Sequence, residues 1–149
     1  EPGYGFSLLD NYSVLTGEDS YYAAWAAGEP TDYTNEDGED VQVYDAQIYL
    51  LAAGYADEAQ AQQNQEEWIA RQQETYAVTD SWSETRNGQE YTLLAYECGS
   101  ETNPYHRGVS AFTVYGTYAV SAELACRESF TGQEREILLQ FLDGCHYSS

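Results

Sequence analysis

The chain has no lysine and no methionine, and its cationic side chains are five arginines: Arg71, Arg86, Arg107, Arg127 and Arg135. Against 26 aspartates and glutamates these leave a formal charge of -21. A surface so negative repels nucleic acid and anionic lipid, because the phosphate attraction that dominates such binding changes sign. It also favours solubility and opposes self-association. The arginines are scattered, so no cluster is available for a phosphate or carboxylate ligand. Long apolar runs are missing too. The longest, Ile48 to Ala53, falls well short of the ~18 residues that cross a bilayer. Cysteine is sparse: Cys98, Cys126 and Cys145 lack CxxC spacing, and only His106 and His146 lie near them. No metal site and no cofactor are therefore expected.

What is present points to a single folded domain over residues 1–149. Hydrophobic residues make up 42% of the chain, and 15 tyrosines, 4 phenylalanines and 3 tryptophans offer large areas to bury. That content argues against general disorder despite the charge. The first residues, Glu1-Pro2-Gly3, read as a processed or truncated product, with any signal peptide or lipid-attachment cysteine upstream. A lysine-free, acidic, tyrosine-rich surface fits an exported, extracytoplasmic protein, either secreted or anchored at the cell envelope.

Residues 4–9 read as an opening strand that ends at Asp10-Asn11. Tyr21 to Ala27 is apolar and of ambiguous type. Residues 28–40, with Pro30, Gly38 and many acidic or amide side chains, read as a surface loop. Val41 to Leu51 is strand-like and Gly54 ends it. A helix is predicted from Asp57 to about Tyr76, capped by Asp57 with Gln60 three residues on. Ala61, Trp68, Ile69 and Tyr76 share one side of it, with Gln65 and Gln72 between them.

Asn87-Gly88 is the strongest hairpin signal, since a type I′ turn needs positive φ at both central residues. A two-residue turn there sets Trp82 opposite Leu93. A second hairpin is predicted around Tyr115-Gly116-Thr117. A two-residue turn would place Phe112 opposite Ser121. A three-residue loop places Phe112 opposite Val120 and Val114 opposite Tyr118, giving one coherent apolar face, and this register is the predicted one. The last helix has Thr131 and Glu134 as a capping box, a stripe of Ile137, Leu138, Phe141 and Leu142, and a stop at Gly144. Strands joined by hairpins rather than βαβ crossovers imply an α+β fold: an antiparallel meander with two packed helices. Phe112, Val114, Val120, Leu124, Ile137, Leu138 and Phe141 should form its core.

The opening Phe6-Ser7-Leu8-Leu9, the helix carrying Trp68, the Asn87-Gly88 hairpin leading into Tyr91-Thr92-Leu93-Leu94, and the closing helix after Phe130 resemble the PsbP/Mog1-type sandwich family of small bacterial envelope or secreted proteins. The proline and tryptophan often found after that family's first strand are replaced by Asp10-Asn11-Tyr12. The resemblance implies a binding, assembly or accessory role and no shared catalytic set.

Several constellations invite chemistry. The acidic loop at residues 32–40 fails as an EF-hand: with Gly38 as the turn glycine, the first and twelfth ligand positions fall on Tyr33 and Tyr44. Cys98 and His106 with Glu97 or Glu101 have the residue types of a thiol hydrolase, but the negative surroundings raise a thiol rather than activate it. With 26 carboxylates, pairs suited to glycoside hydrolysis carry no information. In the predicted meander, an internal disulfide would join Cys98 to Cys126 and leave Cys145 free; three free thiols is the alternative.

The tyrosines are the best lead, because aromatic side chains offer contact area at low entropic cost. The competing explanation, and the favoured one, is that tyrosine simply tiles the outer face of a half-exposed sheet. The candidate ligand-binding residues are Tyr105, His106 and Arg107, adjacent in the 99–108 loop. The expected function is a non-enzymatic exported binding or accessory module of the cell envelope for a protein, peptide or glycan, not nucleic acid. The alternative is a small hydrolase of cell-wall or dietary polymer. A pocket of convergent carboxylates, or Cys98 beside His106, would favour the enzyme.

Overall fold

The computed structural model describes residues 12–15, 20–27, 31–34, 37–44, 46–86, 88–97, 105, 107–127 and 134–148. In chain order the elements are β1 (Tyr12–Leu15), β2 (Ser20–Ala27), β3 (Thr31–Thr34), β4 (Asp40–Val43), β5 (Ala46–Gly54), α1 (Glu58–Thr75), β6 (Ala77–Arg86), β7 (Gln89–Glu97), β8 (Arg107–Tyr115), β9 (Tyr118–Cys126), α2 (Glu134–Asp143) and β10 (Cys145–Ser148). The predicted strand at residues 4–9 and the Thr131 cap lie outside the described residues.

Turn chemistry sets the first hairpin. Arg86 pairs with Gln89, leaving two residues to reverse the chain, and Gly88 sits at φ 81° where a side chain would be strained. Trp82 faces Leu93 as predicted. Helix α1 starts where its cap dictates. The Asp57 carboxylate accepts from the Gln60 N–H at 2.9 Å, and the Gln60 side-chain oxygen accepts from the Ala56 N–H at 3.2 Å.

The second hairpin corrects the sequence reading. Tyr115 pairs with Tyr118 and Phe112 with Ser121, so the turn has two residues and Gly116 takes φ 61°. The prediction assumed that one face of this hairpin had to collect all the apolar side chains. Both faces are covered here, which removes that constraint. Phe112 is buried on the α1 side, while Val120 is buried on the α2 side.

The expected fold class is corrected as well. Strand dominates: the main sheet has six antiparallel strands in the order β2-β5-β9-β8-β7-β6, and the described residues hold two helices. Strands β6 to β9 run as a meander, but β9 then pairs with β5, and β5 carries β2 at the edge. The reason lies in β5, whose Ile48, Leu50 and Ala52 are fully buried on one face while Leu51 is half-buried on the other. A strand with two apolar faces belongs inside a sheet, with partners on both sides. The helices cover this sheet only in part, α1 lying over β6, β8 and β9. The α+β meander with two packed helices, and the PsbP/Mog1-like sandwich with it, give way to a β-dominated structure. The acidic loop is corrected too: it contains β3, which pairs as a ribbon with β4 beginning at its last residue, with Thr34 donating to Asp40 at 3.0 Å. Strands β1 and β10 form a separate parallel pair.

The core lies between α2 and one sheet face. Ile137, Leu138, Phe141 and Leu142 pack on Ile48, Leu50, Val120, Leu124, Val109 and Leu93. Each such side chain contributes ~1.5–3 kcal/mol when fully buried. Of the predicted core, Phe112 belongs to the opposite face and Val114 is half-buried. Trp25 meets Phe141 edge-on at 5.0 Å and 63°. Ion pairs fix both ends of the helix, Arg107 to Glu134 and Arg86 to Asp143, each at 3.0 Å. Arg135 lies over the Trp82 ring at 4.1 Å and reaches Asp80.

Candidate functional site

On the other sheet face, α1 does not seat flush. Ala61 is its one buried residue, and Trp68, Gln72 and Tyr76 are half-buried along the same side. The floor beneath its C-terminal half includes the small Ser121. The result is a cavity of about 320 Å³ bounded by Leu51, Trp68, Arg71, Gln72, Thr75, Tyr76, Phe112, Ser121 and Glu123.

A polar cluster occupies the floor. Tyr96 on β7 donates its phenol proton to Glu123 on β9, two strands away. It crosses β8 at Gly108, where a Cβ would lie 2.5 Å from the Tyr96 hydroxyl and 2.4 Å from the Leu124 carbonyl oxygen. Gln72 reaches down from α1, donating to Ser110 Oγ at 2.9 Å and to the Glu123 carboxylate. Tyr76, at the C-terminal cap of α1, stacks on Tyr96 with ring centroids 4.4 Å apart. Burial raises the Glu123 carboxyl above the usual carboxylate range, an effect the Tyr96 and Gln72 donors partly oppose. Burial and the adjacent Glu123 charge also raise the Tyr96 phenol.

Of the predicted binding residues, Tyr105 and Arg107 engage different partners. Tyr105 turns onto the sheet, accepting from the Tyr44 N–H at 3.1 Å and donating to Gln47 at 2.8 Å. Tyr49 donates to the same Gln47 oxygen. Arg107 instead serves the start of α2 through Glu134 on the opposite face. His106 lies outside the described residues. The tyrosines divide between the two readings: Tyr91 and Tyr96 are buried, whereas Tyr22 is 61% exposed.

Of the two cysteines in the candidate bridge, Cys126 is a buried free thiol, as is Cys145, and Cys98 lies outside the described residues. Glu97, Arg107 and Cys126 form one row across β7, β8 and β9. Burial pushes both thiols up to about 12, with Glu134 adding to the effect at Cys126.

Sequence reasoning passed over Glu123, Ser110 and the convergence of Gln72 with Tyr96. A signal existed: Glu123 is the lone charge in the otherwise small and apolar strand Tyr118–Cys126, and Gln72 sits on the apolar side of α1.

Among the described residues no helix is long and apolar enough to cross a membrane, and no three His, Cys, Asp or Glu side chains group as a metal site. No protein-family profile matches the chain, and no curated protein matches it. Among solved structures, the chain is similar to PA94, a protein of unknown function from Pseudomonas aeruginosa described as a candidate regulator. The match has 14% identity and a TM-score of 0.46, over 78% of this chain and 95% of that one.

Proposed function

We propose that this chain is a non-enzymatic binding or accessory module, exported to the cell envelope or beyond, that takes a ligand into the cavity between α1 and the sheet. The observation that carries the reading is the cavity's make-up: aromatic walls from Trp68, Tyr76 and Phe112 over a floor holding Glu123 and Ser121. Ligand sites of ~300–1,000 Å³ are commonly mostly apolar with a few placed polar groups. A cavity of about 320 Å³ suits one inserted group, such as a peptide side chain, a sugar ring or a small molecule. The export assignment rests on composition, the lysine-free surface of charge -21.

Hydrolysis of a polymer needs either two carboxylates flanking the bond or a nucleophile held by a base. Glu123 is the sole carboxylate among the described residues that line the cavity, and no histidine or cysteine is among them. The binding reading is therefore preferred. A screen of glycans, peptides, small molecules and nucleic acids on wild type and on Ser121→Phe, which fills the cavity, tests it. Hits from neutral or cationic classes should be lost in the variant. Tight DNA or RNA binding contradicts the reading, and turnover abolished by Glu123→Gln would establish the hydrolase instead.

A further inference from the structure

Of the described groups on the Glu123 carboxylate, both donors are neutral: the Tyr96 hydroxyl and the Gln72 amide. Neither Glu123 nor Arg71 takes part in the ion pairs seen among the described residues. Arg71, the cation at the cavity mouth, is exposed, so solvent screens its field far more than that of the partly buried carboxylate. The lining thus places one acceptor of negative charge at the bottom and three aromatic rings around it. Ring faces attract cations through their quadrupoles, most strongly where water is excluded, and tryptophan is the best of them. The net charge of -21 raises the local concentration of any cation.

Resting on the cavity as the binding site, we propose that its ligand is an organic cation. A protonated amine sits on the Glu123 carboxylate, and its hydrocarbon or aromatic body lies between Trp68 and Phe112. An ammonium supplies the charge that the carboxylate lacks and accepts the geometry that Tyr96 and Gln72 already hold. A free amine and the side chain of a basic peptide share this chemistry.

Calorimetric titration of the full chain with 2-phenylethylammonium, its neutral counterpart 2-phenylethanol and the anion phenylacetate tests the assignment. A lysine-containing tripeptide added as a fourth probe separates the two sources. The ammonium should bind about tenfold tighter than the alcohol, weaken with added salt, and lose its advantage in Glu123→Gln. Arg71→Gln should leave that preference intact or enlarge it. Equal binding of amine and alcohol overturns the cation while leaving the cavity reading standing. Ammonium binding that survives Glu123→Gln, or phenylacetate binding that depends on Arg71, also overturns it. Binding of no probe overturns the cation, and the Ser121→Phe screen then decides the cavity reading separately. Should Glu123→Gln fail to fold, Ser121→Phe must abolish ammonium binding, and its failure to do so overturns the proposal.

Discussion

The phenol of Tyr96 reaches Glu123 only because residue 108, between them on β8, has no side chain. A methyl group there would meet the Tyr96 hydroxyl at 2.5 Å and the Leu124 backbone oxygen at 2.4 Å, and the second cannot move without shifting β9. Gly108→Ala should therefore destabilise the chain by ~1–3 kcal/mol or more, the range for overpacked interiors. Urea denaturation measures it, and a change under ~0.5 kcal/mol, typical of indifferent surface sites, would show that Tyr96 does not lie across Gly108.

Glu123 gives a pH prediction. Its folded carboxyl is raised by burial, so the folded chain holds this proton more tightly than the unfolded chain does. The contribution to stability is full below the ordinary carboxylate range and is lost as pH rises through the raised value. Glu123→Gln removes that loss. Melting curves from pH 4 upward should show the variant gaining on wild type as pH increases; a constant gap would mean that the carboxyl titrates alike in both states.

Phe141 is buried under α2, edge-on to Trp25. Phe141→Ala should cost roughly 3–5 kcal/mol, as large-to-small changes in cores do. Wild-type stability in chemical denaturation would contradict the packing of α2 on the sheet.

The thiols of Cys126 and Cys145 are buried, and burial pushes each up to about 12. Thiolate is the reactive species, so neither should react with a thiol reagent at pH 8 in the native chain, and both should react in denaturant. Peptide mapping identifies the sites. Rapid native labelling of Cys126 would contradict its place beneath α2.

Local chemistry was legible in the sequence wherever one short segment decides the outcome. Asn87-Gly88 set its hairpin register, Asp57 and Gln60 set the start of α1, and the Ile137-Leu138-Phe141-Leu142 stripe faced the core as read. The register at Gly116 was misread because alternation identifies a buried face only when the other face is wet, and the β8–β9 hairpin is covered on both sides. The pairing of β9 with β5 spans the whole of α1 and two hairpins, and no turn signal reports it. The candidate site was hidden for a related reason. Gln72 and Ser110 are 38 residues apart and Tyr96 and Glu123 are 27 apart, so only the sheet order brings them together.

The most direct test of the central claim, that the cavity under α1 is the binding site, is amide NMR of the isotopically labelled chain titrated with a mixed fragment set of neutral and cationic compounds. Shift changes should concentrate on Trp68, Gln72, Tyr76, Phe112, Ser121 and Glu123, and should vanish in Ser121→Phe. Changes concentrated instead around Tyr22 or Tyr105, and unaltered by Ser121→Phe, would place binding on the open sheet face and contradict the account.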